Sequence, residues 1–413
     1  MNVKLRKDAE WIIQKAIQAV QPDEAVKKAL EGHSFTGKVV LVAVGKAAWQ
    51  MAYSAWKCMG EGIDDGIVIT KYGHVKGPIA NFKCIEAGHP VPDENSFAGT
   101  KIALELVSGL SKEDTVLFLI SGGGSALFEN PKISGEELQD ITKQLLACGA
   151  DIVEMNTIRK RLSRVKGGYF AKACKPAKVF SVVLSDILGD PLDMIASGPA
   201  YPDASSCMDA QRIINKYNLK LSKEAKECLQ QETPKVLDNV STVITGSVTE
   251  LCKAAAKACE ELGYETIILT DQLSCQAKEA GSFLSSVLKT HYKSAKKAAF
   301  LAGGETVVHI TGNGKGGRNQ ELALSSAIHL AGLKNAAVFS VGSDGTDGPT
   351  EAAGGYVDGD TFECLSNLNI DIHHILKEND AYHALEMSGG LIFTGPTGTN
   401  VNDVAAALID NGI

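Results

Sequence analysis

Glycines and cations stand together in one short stretch of the chain. Residues 312–318 read GNGKGGR, so four glycines surround Lys315, and Arg318 follows at the start of a helical pattern. A backbone without Cβ atoms can close tightly around an anion, and a guanidinium can grip two of its oxygens. The stretch therefore predicts a site for a highly charged phosphoryl group, formed by Gly314, Lys315, Gly317 and Arg318.

A second cation follows the apolar run VVLVAV. Gly45 and Lys46 stand between that run and a helical pattern, and helix N-termini attract anions. The stretch is not a phosphate P-loop, because Val40 stands where the first glycine would be and Ala47 follows the lysine. We predict that Lys46 faces an anion; a turn glycine beside a surface lysine is the plainer alternative.

A third glycine stretch follows the apolar run TVLFLI. Three adjacent glycines exceed the need of a tight turn and favour a backbone anion nest, which would comprise Ser121, Gly122, Gly123, Gly124 and Ser125. A serine nucleophile is disfavoured, because Leu127 stands where the GxSxG motif needs its final glycine. We interpret His89, in GHPVPD, as a turn residue rather than as the base of such a serine.

Three carboxylates follow another apolar run, in SDILGDPLDM. Asp186, Asp190 and Asp193 stand within eight residues, around a glycine and a proline. Carboxylates of this kind suit Mg²⁺, which takes one or two of them plus phosphate oxygens, and one could instead accept a proton from a hydroxyl. We assign Asp186 and Asp190 to a divalent cation and Asp190 also to catalysis, although spacing alone does not divide these roles.

A cationic helical stretch, NTIRKRLSRVKGG, has two readings. A solvated helix face accounts for most of its cations, which are Arg159, Lys160, Arg161, Arg164 and Lys166. Asn156 and Lys160 fall one turn apart, so they could point together toward an anionic ligand.

Further acids and amides follow the later runs. Glu305 follows two glycines, Asp344 and Asp347 follow AVFSV, and Asn400 and Asn402 stand at an expected helix start. Together they suggest one edge of a charged-ligand site. Gly312, Gly314 and Gly317 also match GxGxxG, and Asp344 ends the next run, which is the pattern of a dinucleotide site. The cations of that loop weaken this rival, because backbone amides usually neutralise a pyrophosphate without them.

Apolar runs that alternate with amphipathic helical patterns must position these groups. The runs are VVLVAV (39–44), GIVIT (66–70), TVLFLI (115–120), VFSVVL (179–184), TVIT (242–245), ETIILT (265–270), AAFLA (298–302), TVVHIT (306–311), AVFSV (337–341) and GGLIFT (389–394). This alternation predicts an α/β fold with parallel sheets covered on both faces. A chain of 413 residues predicts two domains, and the polar segment 220–241 is the expected boundary.

Composition excludes several classes of protein. A net charge of −8 disfavours a nucleic-acid partner, and no apolar run is long enough for a membrane span. Residues 1–20 mix charges with apolar residues at helical spacing, which indicates a surface helix and not a signal peptide. Ten cysteines without a CxxC pair indicate reduced thiols and a cytoplasmic protein. A homodimer is compatible with the sequence.

The chain resembles the class II glycerate kinases, which are glycerate 2-kinases with a C-terminal MOFRL domain. The resemblance covers nearly the whole chain and rests on VAVGKAAWQMA, AGHPVPDENS, LISGGGSAL, NTIRKRLSRVKGG, LSDILGDPLDMIASGPA, GGETVVHITGNGKGGRNQELAL, GSDGTDGPTEAAGG and GPTGTNVND. It implies transfer of a phosphoryl group from ATP to the 2-hydroxyl of D-glycerate, the (R) enantiomer, giving 2-phospho-D-glycerate and ADP, with Mg²⁺ or another divalent cation.

The resemblance also implies an architecture. Residues 1–238 would form a Rossmann-like domain with a parallel sheet, and residues 239–413 a smaller α/β domain of MOFRL type, with the active site in the interdomain cleft. The family's important lysine and arginine fall on Lys46 and Arg318. An NAD(P)H-dependent hydroxypyruvate reductase is the alternative enzyme, and a non-catalytic sensor of a phosphorylated metabolite is a third hypothesis.

Overall fold

The structure is a computed structural model that describes residues 1–412, and it consists of two compact units. The N-terminal unit comprises Ala25–Thr245. The C-terminal unit comprises Met1–Glu24 together with the residues from Gly246 onward. Among the described residues, no helix combines the length and the apolar character that crossing a membrane requires.

In the part of the chain that the structure describes, twelve strands form two six-stranded sheets. The strands are β1 (Val39–Val44), β2 (Asp65–Lys71), β3 (Lys83–Ala87), β4 (Thr115–Ile120), β5 (Lys178–Leu184), β6 (Val240–Gly246), β7 (Glu265–Leu273), β8 (Lys297–Gly304), β9 (Ala336–Gly342), β10 (Gly354–Asp358), β11 (Leu391–Ile392) and β12 (Asp403–Asp410).

Sixteen α-helices accompany the strands within residues 1–412. They are α1 (Val3–Ala19), α2 (Pro22–Leu30), α3 (Ala48–Met59), α4 (Glu94–Leu106), α5 (Gly124–Leu127), α6 (Gly135–Ala147), α7 (Ile152–Leu162), α8 (Tyr169–Ala173), α9 (Cys207–Tyr217), α10 (Lys223–Leu229), α11 (Val248–Glu261), α12 (Ala277–His291), α13 (Arg318–Leu330), α14 (Thr361–Asn367), α15 (Ile372–Lys377) and α16 (Ala381–Ser388). Two short 3₁₀ helices span Gly60–Gly62 and Ile195–Ser197.

The N-terminal sheet has the strand order β3-β2-β1-β4-β5-β6, which is the order of doubly wound dinucleotide-binding sheets. Neighbours from β3 through β5 pair in parallel. Strands β1 and β4 are buried along their whole length, as their uniformly apolar sequences require. The order reverses between β1 and β4, and ligands of open α/β sheets bind beyond the carboxyl ends at such a point.

The C-terminal sheet is mixed, in the order β11-β10-β9-β12-β8-β7. Strand β12 runs antiparallel between β8 and β9, and it is buried along its whole length. Its sequence, DVAAALID, was expected to be helical from Asn400 and Asn402, and that expectation is wrong. Two flanking strands override the helix propensity of its alanines.

Another predicted strand is absent. TVVHIT (306–311) is irregular in the structure, and only an isolated bridge joins Val307 to Gln276. The loop between β8 and α13 is therefore long, and its glycines do not follow a strand directly. The other nine predicted runs lie in strands, although GGLIFT contributes only the two residues of β11.

The compact units divide the chain differently from the predicted domains 1–238 and 239–413. Strand β6 completes the N-terminal sheet, so the first unit extends through Thr245. Helix α1, the predicted surface helix, belongs to the C-terminal unit and buries Leu5, Ile12 and Ala16 on one face. The hydroxyl of Tyr264 donates to Asp8 Oδ2 at 2.6 Å, which ties that helix to its unit.

Candidate active site

The loops after β1 and β4 interlock at the switch point of the N-terminal sheet. The backbone N–H of Lys46 donates to the Gly122 carbonyl at 2.9 Å, and that of Ala47 donates to Ser121 Oγ at 3.0 Å. Gly45 has a φ of +117°, and a Cβ there would overlap Ser121. Glycine is therefore required at position 45 by the close approach of the two loops.

Lys46 is held through its own backbone. Its carbonyl accepts from Thr70 Oγ1 at 3.3 Å and contacts His74 Nδ1 at 2.9 Å. The side chain runs beside Gly123, where an added Cβ would lie 3.2 Å from Lys46 Cγ. The structure thus brings the predicted lysine and the predicted glycine nest together at the switch point.

A pocket of about 270 Å³ opens beside these loops. It is lined by His89, Pro90, Gly122, Gly123, Ser125, Ala126, Arg159, Asp186, Ile187, Met194 and Ala196. His89 was interpreted as a turn residue, but its ring lines the pocket. Burial, and then the positive charge of Lys46, lower the pKa of His89 below its usual value. His89 is therefore neutral at pH 7 and can accept a hydrogen bond.

Asn156 is a buried side chain that does not line this pocket. Its Oδ1 accepts from Ser197 Oγ at 3.0 Å, and Ser197 Oγ in turn lies 3.0 Å from Ser125 Oγ. This chain of hydrogen bonds ties α7 to the glycine loop through the 3₁₀ helix. In the structure, the carbonyl oxygen of Asn156 supports the loop that carries Ser125.

The interpretation of a solvated helix face is wrong for three of the five cations in residues 159–166. Lys160 is buried and pairs with Asp203 at 3.1 Å and Asp193 at 3.3 Å. Arg161 and Lys166 are also fully buried, and of the five cations only Arg164 is exposed. The amphipathic pattern could not reveal this, because the acids that neutralise these cations are distant in sequence.

The three aspartates after β5 differ in their surroundings. Asp186 packs against Gly122 so closely that a Cβ on that glycine would overlap Asp186 Oδ2. Asp190 has a φ of +51°, and its Oδ1 is buried without a hydrogen-bond partner. Asp193 is the one bound to Lys160. A strained backbone and an orphaned carboxylate oxygen are features of residues held ready for a ligand.

A divalent cation fits Asp186 and Asp190. Residues 1–412 contain no group of three or more His, Cys, Asp or Glu side chains arranged for a metal. Mg²⁺ needs no such group, because it is commonly held by one or two carboxylates plus substrate phosphates and water. The orphaned Oδ1 of Asp190 is a free oxygen ligand of the kind this cation prefers.

The C-terminal unit holds Arg318 at the first position of α13. Its Nε donates to Asp403 Oδ2 at 2.6 Å and its Nη2 to Asp403 Oδ1 at 3.0 Å. Its Nη1 lies 3.1 Å from Glu305 Oε1, and Asn402 donates to Glu305 Oε2 at 3.2 Å. Burial lowers the pKa of Arg318, but the hydrogen bonds and charge of Asp403 outweigh it and raise the pKa above its usual value.

The two asparagines predicted at a helix start, Asn400 and Asn402, have different surroundings in the structure. Asn400 is exposed, and Asn402 is the amide that joins the Arg318 cluster. The sequence pattern does not indicate a functional role for Asp403, because Asp403 lies in an alanine-rich segment that favours a helix. The predicted convergence of Arg318 with Lys46 stays a prediction.

The GNGKGG loop is packed against its own unit. A Cβ on Gly314 would lie 2.6 Å from Asp380 Cα, and the backbone N–H of Lys315 donates to Asp380 Oδ1 at 2.8 Å. The Lys315 ammonium lies 3.4 Å from Glu351 Oε2 and 3.9 Å from the centre of the Tyr382 ring. Close backbone packing therefore explains these glycines without a bound phosphate.

The start of α13 already carries an anion from the protein. Asp347 accepts from the backbone N–H groups of Asn319 at 3.1 Å and Gln320 at 2.8 Å. A Cβ on Gly317 would overlap Asp347. Burial is the main cause that raises the pKa of Asp347 to about 6. The helix N-terminus predicted to bind a phosphoryl group is thus occupied by a carboxylate of the chain.

The dinucleotide pattern does not have its structural context. No strand immediately precedes GNGKGG, and an antiparallel strand separates β8 from β9. Asp344 accepts from the backbone N–H of Thr346 at 3.0 Å, which forms a local turn. GxGxxG signals a dinucleotide only between a strand and a helix of a parallel unit, so this match is coincidental.

Two family profiles match the chain. The profile of a domain of unknown function, DUF4147, matches residues 8–230, and that of the MOFRL family matches residues 298–403. A Thermotoga maritima protein named D-glycerate 2-kinase is 53% identical over 98% of both chains. A Pyrococcus horikoshii protein named glycerate 2-kinase is 40% identical over 96% of both.

The chain belongs to the glycerate 2-kinase family with a MOFRL domain. A crystal structure of a glycerate kinase from Thermotoga maritima superposes with a TM-score of 0.95 at 52% identity, covering 98% of this chain and 99% of that one. An Agrobacterium vitis protein named putative hydroxypyruvate reductase is 37% identical over 99% of this chain and 95% of its own. The two proteins named glycerate 2-kinase, at 53% and 40% identity, are more similar to this chain than that protein is.

Proposed function

We propose that this protein is a D-glycerate 2-kinase, which transfers the terminal phosphoryl group of ATP to the 2-hydroxyl of D-glycerate. The observation that carries the proposal is the 53% identity, over 98% of both chains, to the Thermotoga maritima protein of that name. The site supports it, because Lys46, the glycine loop and Asp186 lie together at the switch point of a parallel sheet. Such a site can bind phosphate groups and a small acid.

Phosphoryl transfer depends on positioning and on stabilising charge more than on covalent help from the protein. We assign Lys46 and Arg318 to the charge of the transferring group. Lys46 supplies an ammonium, and three neighbouring residues fix the backbone of Lys46 by hydrogen bonds. Arg318 supplies a guanidinium that Asp403 orients. The glycine nest would hold anionic oxygens with the backbone N–H groups of residues 122–125, whereas the N–H of Ser121 already donates to the Val44 carbonyl at 2.9 Å.

Asp186 and Asp190 would hold Mg²⁺ or another divalent cation. When bound, that cation would neutralise part of the negative charge of the nucleotide phosphates. Neutral His89 lines the same pocket as Asp186, so it can accept a hydrogen bond from a substrate hydroxyl. Glu305 and Asp344 stay predicted contacts of the nucleotide or of the substrate.

The test is identification of the product. ADP formation from ATP and D-glycerate establishes a kinase, and enolase then distinguishes the phosphorylated carbon. Enolase converts 2-phosphoglycerate directly to phosphoenolpyruvate, whereas 3-phosphoglycerate first needs a mutase. Signal with enolase alone is expected. Oxidation of NADH or NADPH by hydroxypyruvate without ATP would instead favour the reductase, and binding without turnover would favour a sensor.

A further inference from the structure

Arg159 differs from every other cation of its segment. The buried Lys160, Arg161 and Lys166 each have a carboxylate partner, at 3.1 Å, 3.5 Å and 3.2 Å respectively. Arg164 is exposed to water. Arg159 is only half-buried, yet no acid within residues 1–412 forms an ion pair with it.

The hydrogen bonds of Arg159 are also incomplete. Its Nη2 donates to the Ser125 carbonyl at 3.1 Å, which aims the guanidinium at the glycine loop. Its Nε is buried and has no partner. A guanidinium carries five donors and stays protonated, and leaving a buried donor unsatisfied is costly. The arrangement is therefore incomplete until an acceptor arrives.

Glu129 is the acid whose negative charge acts on Arg159, but it forms its ion pair with Lys166. Glu129 lies 3.2 Å from Lys166 Nζ, and both side chains are fully buried. The negative charge of Glu129 acts on Arg159, but burial has the larger effect and lowers the pKa of Arg159. Glu129 forms its ion pair with Lys166 and not with Arg159, so the Arg159 guanidinium has no carboxylate partner among the described residues.

The pocket that Arg159 lines suits a small acid. Its volume of about 270 Å³ falls below the roughly 300–1,000 Å³ of pockets that enclose drug-sized ligands. The pocket is therefore large enough for a three-carbon acid. Ile187, Met194 and Ala196 supply apolar walls, while His89 and Asp186 supply polar groups for hydroxyls.

We propose that Arg159 is the receptor for the substrate carboxylate and that this pocket is the glycerate site. The inference rests on the proposed function and extends it, since it says which loop region holds the acid. A carboxylate on Arg159 would satisfy the guanidinium and place the rest of the molecule beside Gly122, Gly123 and His89. Lys46 runs along the same glycine, so the 2-hydroxyl would lie near the cation assigned to phosphoryl transfer.

The experiment separates the two substrates. In Arg159→Met, the KM for D-glycerate is expected to rise about 10- to 100-fold, because a charge-assisted pair is lost. The KM for ATP is expected to stay within about threefold. Arg159→Lys should recover part of the loss, because it keeps the charge without the planar fork. Arg164→Met, on the exposed neighbour, is the matched control and should match the parent.

Calorimetric titration of D-glycerate into each variant gives a second readout that needs no turnover, and thermal unfolding checks that each variant folds. Equal KM values for glycerate in parent and Arg159→Met would overturn the inference while leaving the kinase intact. A rise in the KM for ATP alone would also overturn it, since the anion would then be a nucleotide phosphate. If the parent does not turn over, the function fails, and the titration alone decides whether Arg159 binds the acid. If Arg159→Met does not fold, Arg159→Lys decides, and unchanged glycerate affinity there overturns the inference.

Discussion

Arg318 and Asp403 form a bidentate ion pair, with Nε to Oδ2 at 2.6 Å and Nη2 to Oδ1 at 3.0 Å. Asp403 begins the central antiparallel strand β12 and is buried, so the carboxylate is a fixed anchor. Two parallel hydrogen bonds set the plane of the guanidinium as well as its position. The Nη1 side faces the more exposed Glu305, at 3.1 Å.

Asp403→Asn is expected to lower kcat/KM about 10- to 100-fold. The amide keeps one acceptor but loses the charge and the second parallel bond, so Arg318 loses its fixed orientation. The free energy of unfolding should fall by about 1.5–3 kcal/mol, near the lower end because Arg318 is a third exposed. Steady-state kinetics and urea unfolding measure the two effects. Partial recovery in Asp403→Glu would mark a positioning role, and unchanged kinetics in Asp403→Asn would reject it.

Lys46→Ala and Arg318→Ala are each expected to lower kcat about 10²–10³-fold, the usual cost of removing one preorganised group that stabilises transition-state charge. Initial rates of ADP formation at saturating ATP and D-glycerate give this number. Lys57→Ala, on the surface of α3 outside the site, is the matched lysine control. A kcat within threefold of the parent in either test variant would remove that residue from the mechanism.

The sequence predicts most of the strands because each is a short apolar run that ends in glycine or a polar residue. It fails at β12, where an alanine-rich segment is a strand only because β8 and β9 flank it. It fails at 306–311 for the opposite reason, since an apolar run without a sheet neighbour stays irregular. Pairing partners distant in the chain decide both cases, and local pattern does not contain them.

In the site, too, local sequence pattern predicts some features, and residues distant in the chain decide the others. Lys46 and the glycine loop are neighbours in the structure, because parallel strands bring their carboxyl ends to one edge of the sheet. The burial of Lys160, Arg161 and Lys166 is not predicted, because the acids that pair with them come from residues 129, 193, 203 and 232. Arg159 is distinguished only by what it lacks, and a missing partner cannot be read from sequence.

Asp347 predicts a pH dependence of stability. Burial raises its folded-state pKa to about 6, above the unfolded value near 3.9. The folded protein therefore holds a proton that the unfolded chain releases, so this contribution is full below about pH 4 and is lost as the pH rises through 6. The stability difference between the parent and Asp347→Asn should fall by about 3 kcal/mol from pH about 4 to about 7.

Urea unfolding of both proteins across that range measures the difference. Asp93→Asn is a control of opposite sign. Burial raises the pKa of Asp93, but its hydrogen bonds from Tyr72 and Ser96 outweigh burial and lower the pKa. The stability difference between the parent and Asp93→Asn should therefore grow with pH. A difference for Asp347→Asn that stays flat or rises with pH would contradict the assignment of a raised pKa.

Gly122→Ala tests whether the contact of Gly122 with Asp186 organises the metal site. The backbone of Gly122 is not left-handed, so the effect of the added methyl group is steric: it would overlap Asp186 Oδ2 and displace that carboxylate. We expect kcat/KM to fall at least about tenfold and the Mg²⁺ concentration for half-maximal rate to rise, at a stability cost of about 1–3 kcal/mol. Gly62→Ala is the matched control, since its nearest neighbour lies at 3.8 Å. An unchanged Mg²⁺ dependence in a folded Gly122→Ala enzyme would exclude Asp186 as a ligand that this contact positions.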